Sequence, residues 1–210
     1  MLKKLALSLA VAAALPASAL TTGDLAFTAF NADEDGFAMV ALANVAANTK
    51  VYFSDNEWSG TAFNTGESFL SWLSGAAVVN AGTVIRFSKT ANATLLAASV
   101  GTLSRETVVL SANWGFSQSA DTVYAYLGTS AVAPTTFLSA ISSGTFGTAA
   151  DGTLAHTGLA IGAAAPDPDP GHRPPARTAG GRSAGSRLES SIPCSVAHPA
   201  NAVELSAWTA

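Results

Sequence analysis

Residues 51–58 read Val-Tyr-Phe-Ser-Asp-Asn-Glu-Trp, and the fold turns on how that stretch divides. In its first half Val51 and Phe53 point one way and Tyr52 and Ser54 the other, the twofold period of a β-strand. Its second half sets Asp55, Asn56, Glu57 and Trp58 at the strand end, a dense polar and aromatic corner. That corner is the first candidate ligand-binding site.

Working outward, strands are expected at residues 25–30 and 37–42, joined by the acidic run Asn31-Ala32-Asp33-Glu34-Asp35-Gly36. Asp-Gly between apolar strands is a hairpin signal. Phe37, Met39 and Ala41 share one face of the second strand and Ala38, Val40 and Leu42 the other, so this strand is expected to be central and covered on both sides. Downstream, residues 67–73 place Ser68, Leu70 and Trp72 on one face. Residues 83–88 place Ile85 and Phe87 together, and Arg86 marks the opposite face as wet. Residues 91–100 suit a short helix or a strand equally. Further strands are expected at 107–110 and 122–127, where Val123, Ala125 and Leu127 oppose Tyr124 and Tyr126. Phe137, Leu138 and Ile141 anchor a last short element, and Leu159-Ala160-Ile161 starts another strand. Strands separated by turn residues, with no strand-helix alternation, predict an all-β sandwich.

Composition supports this reading. The chain has 210 residues, 49% hydrophobic and only 11% charged, enough for one substantial core. Between residues 20 and 165 the basic side chains are Lys50, Arg86, Lys89 and Arg105, outnumbered by Asp and Glu, a balance that repels phosphate backbones and excludes nucleic acid as a partner. The single Cys194 forms no internal disulfide, so the sandwich must stand on packing.

Residues 1–19 carry Lys3 and Lys4, an apolar run to Leu15, Pro16 and an Ala17-Ser18-Ala19 ending. That is the pattern of a secretory signal peptide, with cleavage expected after Ala19. The apolar run is too short for the ~30 Å hydrocarbon layer, so the mature chain is expected to lack a membrane span. Residues 20–165 form the expected sandwich. From residue 166 the composition shifts to Pro, Arg, Ala, Gly and Ser, and residues 166–210 are expected to be a disordered tail. The same mix arises when GC-rich DNA is read out of frame.

Three stretches carry a family resemblance: G-D-L-A-F-T-A-F-N-A-D-E-D-G-F-A-M-V-A-L from Gly23, V-Y-F-S-D-N-E-W from Val51 and F-N-T-G-E-S-F from Phe63. With G-T-V-I-R-F from Gly82 and D-T-V-Y-A-Y-L-G from Asp121, they resemble lamin-tail-like domains of secreted bacterial proteins. The resemblance implies an immunoglobulin-like β-sandwich and secretion, and brings no catalytic residues with it. Many such proteins end in a PEP-CTERM sorting signal, a Pro-Glu-Pro motif with an apolar helix and a basic end, which this sequence does not show.

Two chemistries compete with a purely structural role. Asn31-x-Asp33-x-Asp35-Gly36 matches the first half of a calcium loop, in which alternate oxygens converge on the ion. The position of the bidentate Glu is Leu42, so the run reads first as an acidic hairpin tip and only second as a calcium site. Asp55, Glu57 and Glu67 offer paired carboxylates for acid and base work. No G-x-S-x-G, H-E-x-x-H or phosphate loop occurs between residues 20 and 165, where His156 is the only histidine. The expected function is a secreted, non-catalytic binding or structural module of the cell surface or extracellular matrix, with a polysaccharide or surface protein as partner. The alternative is a secreted metal-dependent hydrolase using Asp33, Asp35, Asp55 and Glu57, or a calcium-dependent carbohydrate-binding module. Calcium is the one cofactor the residues suggest.

Overall fold

The computed structural model describes residues 19–148, 150–161 and 195–198, the last four as backbone. The expected signal peptide, apart from Ala19, and most of the expected tail lie outside the described residues.

Eleven strands build two antiparallel sheets and no helix forms among the described residues. The smaller sheet joins β1 (Leu25–Asn31), β2 (Gly36–Ala41), β5 (Val84–Ser88) and β6 (Ala97–Ala98) in the order β1-β2-β5-β6. The larger takes β3 (Lys50–Ser54), β4 (Phe69–Leu73), β7 (Thr102–Arg105), β8 (Thr122–Ser130), β9 (Ala133–Ser142), β10 (Ala160–Ile161) and β11 (Ser195–His198), in the order β10-β11-β9-β8-β3-β4-β7. The stretch at 51–58 thus opens with β3, flanked by β8 and β4 inside the larger sheet.

Alternation decides which side chains meet. Phe27, Phe37, Met39, Ile85 and Phe87 of the smaller sheet pack against Val51, Phe53, Leu70, Trp72, Val123, Ala125, Leu138 and Ile141 of the larger. Phe37 and Phe87 both lie 5.0 Å from the Phe53 ring centroid, which locks the sheets face to face as a sandwich. The opposite face of the larger sheet is also buried. Tyr52, Phe69, Tyr124, Tyr126, Phe137 and Ala140 form a second core, roofed by Trp58, Phe63, Phe146 and Leu159 from the connecting segments.

Four expectations are corrected. β2 is internal to its sheet, but only its Phe37, Met39 and Ala41 face enters the core. Its other face is open: Ala38 and Val40 are half-buried, Leu42 is 54% exposed and the neighbouring Val84 57%. The strand expected at 107–110 is instead β7, at Thr102–Arg105. The Arg105 guanidinium donates to the Thr90 carbonyl and lies 4.4 Å over the Trp114 ring, and the Glu106 amide makes a last bond to the Phe69 carbonyl before the chain leaves the sheet. Val109 and Leu110 are left 83% and 66% exposed. Residues 91–100 resolve as turns around Asn92, whose side chain accepts from the Thr94 and Leu95 amides, before β6. The last short element is the ten-residue β9, paired along its length with β8.

Within the expected tail, β11 fills the slot between β9 and β10, with Val196 opposite Ile141 and Ala197 opposite both Ala140 and Ile161.

Candidate functional site

The polar corner forms where three neighbouring strands share one end. Ser54, the last residue of β3, pairs with Phe69 at the start of β4 and with Tyr124 near the start of β8. Asp55 follows β3 directly, Glu67 lies two residues before β4 and Asp121 one residue before β8. The antiparallel register alone therefore brings the three acids to the same edge.

The backbone around them is tightly tied. Ser68 donates from its amide (2.7 Å) and its hydroxyl (2.6 Å) to Asp55 Oδ1. The Asn56 side-chain amide donates to the Ser68 carbonyl at 2.9 Å and to Ser54 Oγ at 3.0 Å, and its Oδ1 accepts the Glu67 amide at 3.1 Å. Asp121 Oδ2 accepts the Ser117 amide at 2.6 Å, and the Asp121 amide donates to Ser143 Oγ. These bonds fix Asp55 and Asp121 by their carboxylates and Glu67 by its backbone amide.

Among the described residues, one oxygen from each of Asp55, Glu67 and Asp121 lies within 4.8 Å of the others. Asp55 is 2% exposed and Asp121 5%, while Glu67 is half-buried. Asp55 Oδ2, Glu67 Oε2 and Asp121 Oδ1 are enclosed without a hydrogen-bond partner among the described residues. Burial pushes the Asp55 carboxyl well above the usual carboxylate range, and the charges of Asp121 and Glu67 push it further against the pull of Ser68. Burial raises Glu67 to about 7, with help from Glu57 and Asp121. It raises Asp121 to about 6, against the amides of Ser117 and Thr122 and with the charges of Glu57 and Asp151 adding to it. A dry corner holding three mutually repelling acids can keep protons or hold a cation.

The four residues expected at the strand end do come together, but with separate tasks. Asp55 joins the acid trio and Asn56 braces the β3–β4 connection. Glu57 accepts from the Asn64 side-chain amide, and its own amide donates to Asn64 Oδ1. Trp58 turns inward. Its ring lies 5.0 Å from Phe63 and 5.1 Å from Phe137, and its indole N–H donates to the Ala155 carbonyl at 2.9 Å. A 6% exposed indole offers no platform for a sugar.

The acidic hairpin tip is taken up with internal bonds. Asn31 Oδ1 accepts the Glu34 amide, Asp33 Oδ1 accepts the Gln118 side-chain amide at 2.5 Å, and Asp35 Oδ1 accepts the Phe116 amide at 3.1 Å. Asp35 adopts the left-handed region at φ 47°, which lets the β1–β2 turn close. Asp33 and Asp35 thus fasten the 116–118 segment to the hairpin.

Comparisons with protein-family models, curated proteins and solved structures return no match to this chain.

Proposed function

We propose that the chain is a secreted, non-catalytic binding or structural module of the cell surface or extracellular matrix, built on a lamin-tail-like, immunoglobulin-like sandwich. One observation carries the reading. One carboxylate oxygen of Asp55, the amide of Asn56 and the indole of Trp58, groups well suited to work on a ligand, are buried and bonded to neighbouring backbone, so the corner holds the sheet end together. The signal-peptide pattern of residues 1–19 and the lamin-tail-like stretches support export.

Purified chain would be passed over immobilised polysaccharides and matrix proteins, with release of soluble sugar followed in parallel. Retention without turnover is the expected result.

A second reading, a secreted metal-dependent hydrolase, is favoured by Glu67, a half-buried acid raised to about 7 beside two others, as a general acid requires. Metal-dependent cleavage that Asp55→Ala abolishes would replace the first reading with this one.

A further inference from the structure

We propose that Asp55, Glu67 and Asp121 bind one calcium ion, which clamps the shared end of β3, β4 and β8. The ion's role is structural, and it does not depend on what the sandwich binds.

Two independent observations meet at this place. The first is position: one carboxylate oxygen of each residue lies within 4.8 Å of the others at the shared end of three adjacent strands. Calcium-oxygen distances of ~2.3–2.6 Å let one ion bridge oxygens up to roughly 4.6–5.2 Å apart. The second is satisfaction. Asp55, 2% exposed, spends Oδ1 on Ser68 and keeps Oδ2 enclosed with no partner, an arrangement that costs stability unless something positive completes it. Asp121 repeats the pattern, with Oδ2 on the Ser117 amide and Oδ1 enclosed, and Glu67 Oε2 is likewise enclosed without a partner among the described residues.

The donor set selects the ion. Three carboxylates with no imidazole or thiolate suit a hard cation and not zinc or copper. Magnesium needs a contracted octahedron and gives up its waters reluctantly, which a corner enclosed around Asp55 and Asp121 opposes. Half-buried Glu67 marks the side open to solvent, and so the route of entry. The acidic hairpin tip has no comparable claim, because Asp33 is exposed and no side-chain oxygen of Asn31, Asp33 or Asp35 is enclosed without a partner.

The test is calorimetric titration of calcium chloride into the chelator-stripped full chain, with thermal melts of the same samples. One ion per chain is expected, with a Kd of roughly 1 mM or tighter and a Tm that climbs with calcium. Asp121→Asn and Glu67→Gln should each weaken binding at least about tenfold. In chelator both should melt at or above the unsubstituted chain, because each removes a repelling charge, and that shows they fold. Should Asp121→Asn fail to fold, Glu67→Gln decides, since Glu67 is the less buried. Asp33→Asn should bind calcium unchanged. No heat and no change in Tm at about 10 mM calcium would overturn the site. So would binding lost in Asp33→Asn but kept in Asp121→Asn, and an equal response to magnesium would overturn the choice of ion.

Discussion

Ser68 holds Asp55 twice, its amide and its hydroxyl both donating to the same carboxylate oxygen at 2.7 and 2.6 Å, so the residue after β3 is pinned to the residue before β4. Ser68→Ala keeps the amide bond and loses the hydroxyl bond inside a buried corner. A loss of about 1–2 kcal/mol is expected. Urea titration reads it as a lower midpoint at unchanged slope, and a midpoint that does not move would mean that the hydroxyl bond contributes nothing.

The two faces of β2 should respond very differently to truncation. Phe37 is 3% exposed and contacts the rings of Phe27, Phe53, Phe87 and Phe116, so Phe37→Ala should cost about 3–5 kcal/mol. Val40, half-buried on the open face, should cost less than about 1 kcal/mol as Val40→Ala. Chemical denaturation of the two variants side by side checks the contrast. Comparable losses would mean that the outer face of the smaller sheet is covered.

The acid trio gives the calcium-free chain a definite pH dependence. Glu67 and Asp121 have folded-state values of about 7 and about 6, above their ordinary values of 4.5 and 3.8, with burial the leading cause in each. The folded chain therefore holds protons that the unfolded chain has released. The resulting stability is complete below about pH 4 and is lost as pH rises through about 6 and then 7. In chelator, the melting temperature should fall between pH 5 and pH 8 by at least about 3 °C, the equivalent of roughly 1 kcal/mol for a domain of this size. Asp121→Asn should flatten the fall. A curve that is level or rises over that window would show that the trio ionises freely.

The sandwich was legible because its strands carry the twofold period plainly. Val51 and Phe53 do face the inter-sheet core while Tyr52 faces the second, and Val123 and Ala125 oppose Tyr124 and Tyr126 as their alternation requires. Residues 107–110 misled because Val and Leu in a row resemble a strand wherever they lie, while the pairing that places β7 at Thr102–Arg105 is with β4, distant in sequence. The candidate site was half legible. Asp55 and Glu67 stood out beside the aromatic corner, but Asp121 reaches them only through the pairing of β8 with β3, a register that no local pattern encodes. Its one sequence signal is an acid directly before an alternating strand, the position where a side chain caps a sheet end.

Each buried core also contains its own indole. Trp72 lies in the inter-sheet core with its N–H on the Val100 carbonyl, and Trp58 lies in the second core with its N–H on the Ala155 carbonyl. The two faces of the larger sheet are thus fluorescently labelled by the chain itself. With Trp114 and Trp208 replaced by phenylalanine throughout, replacing Trp58 or Trp72 in turn lets emission follow whether the roof over the tyrosine face loosens before the sheets separate.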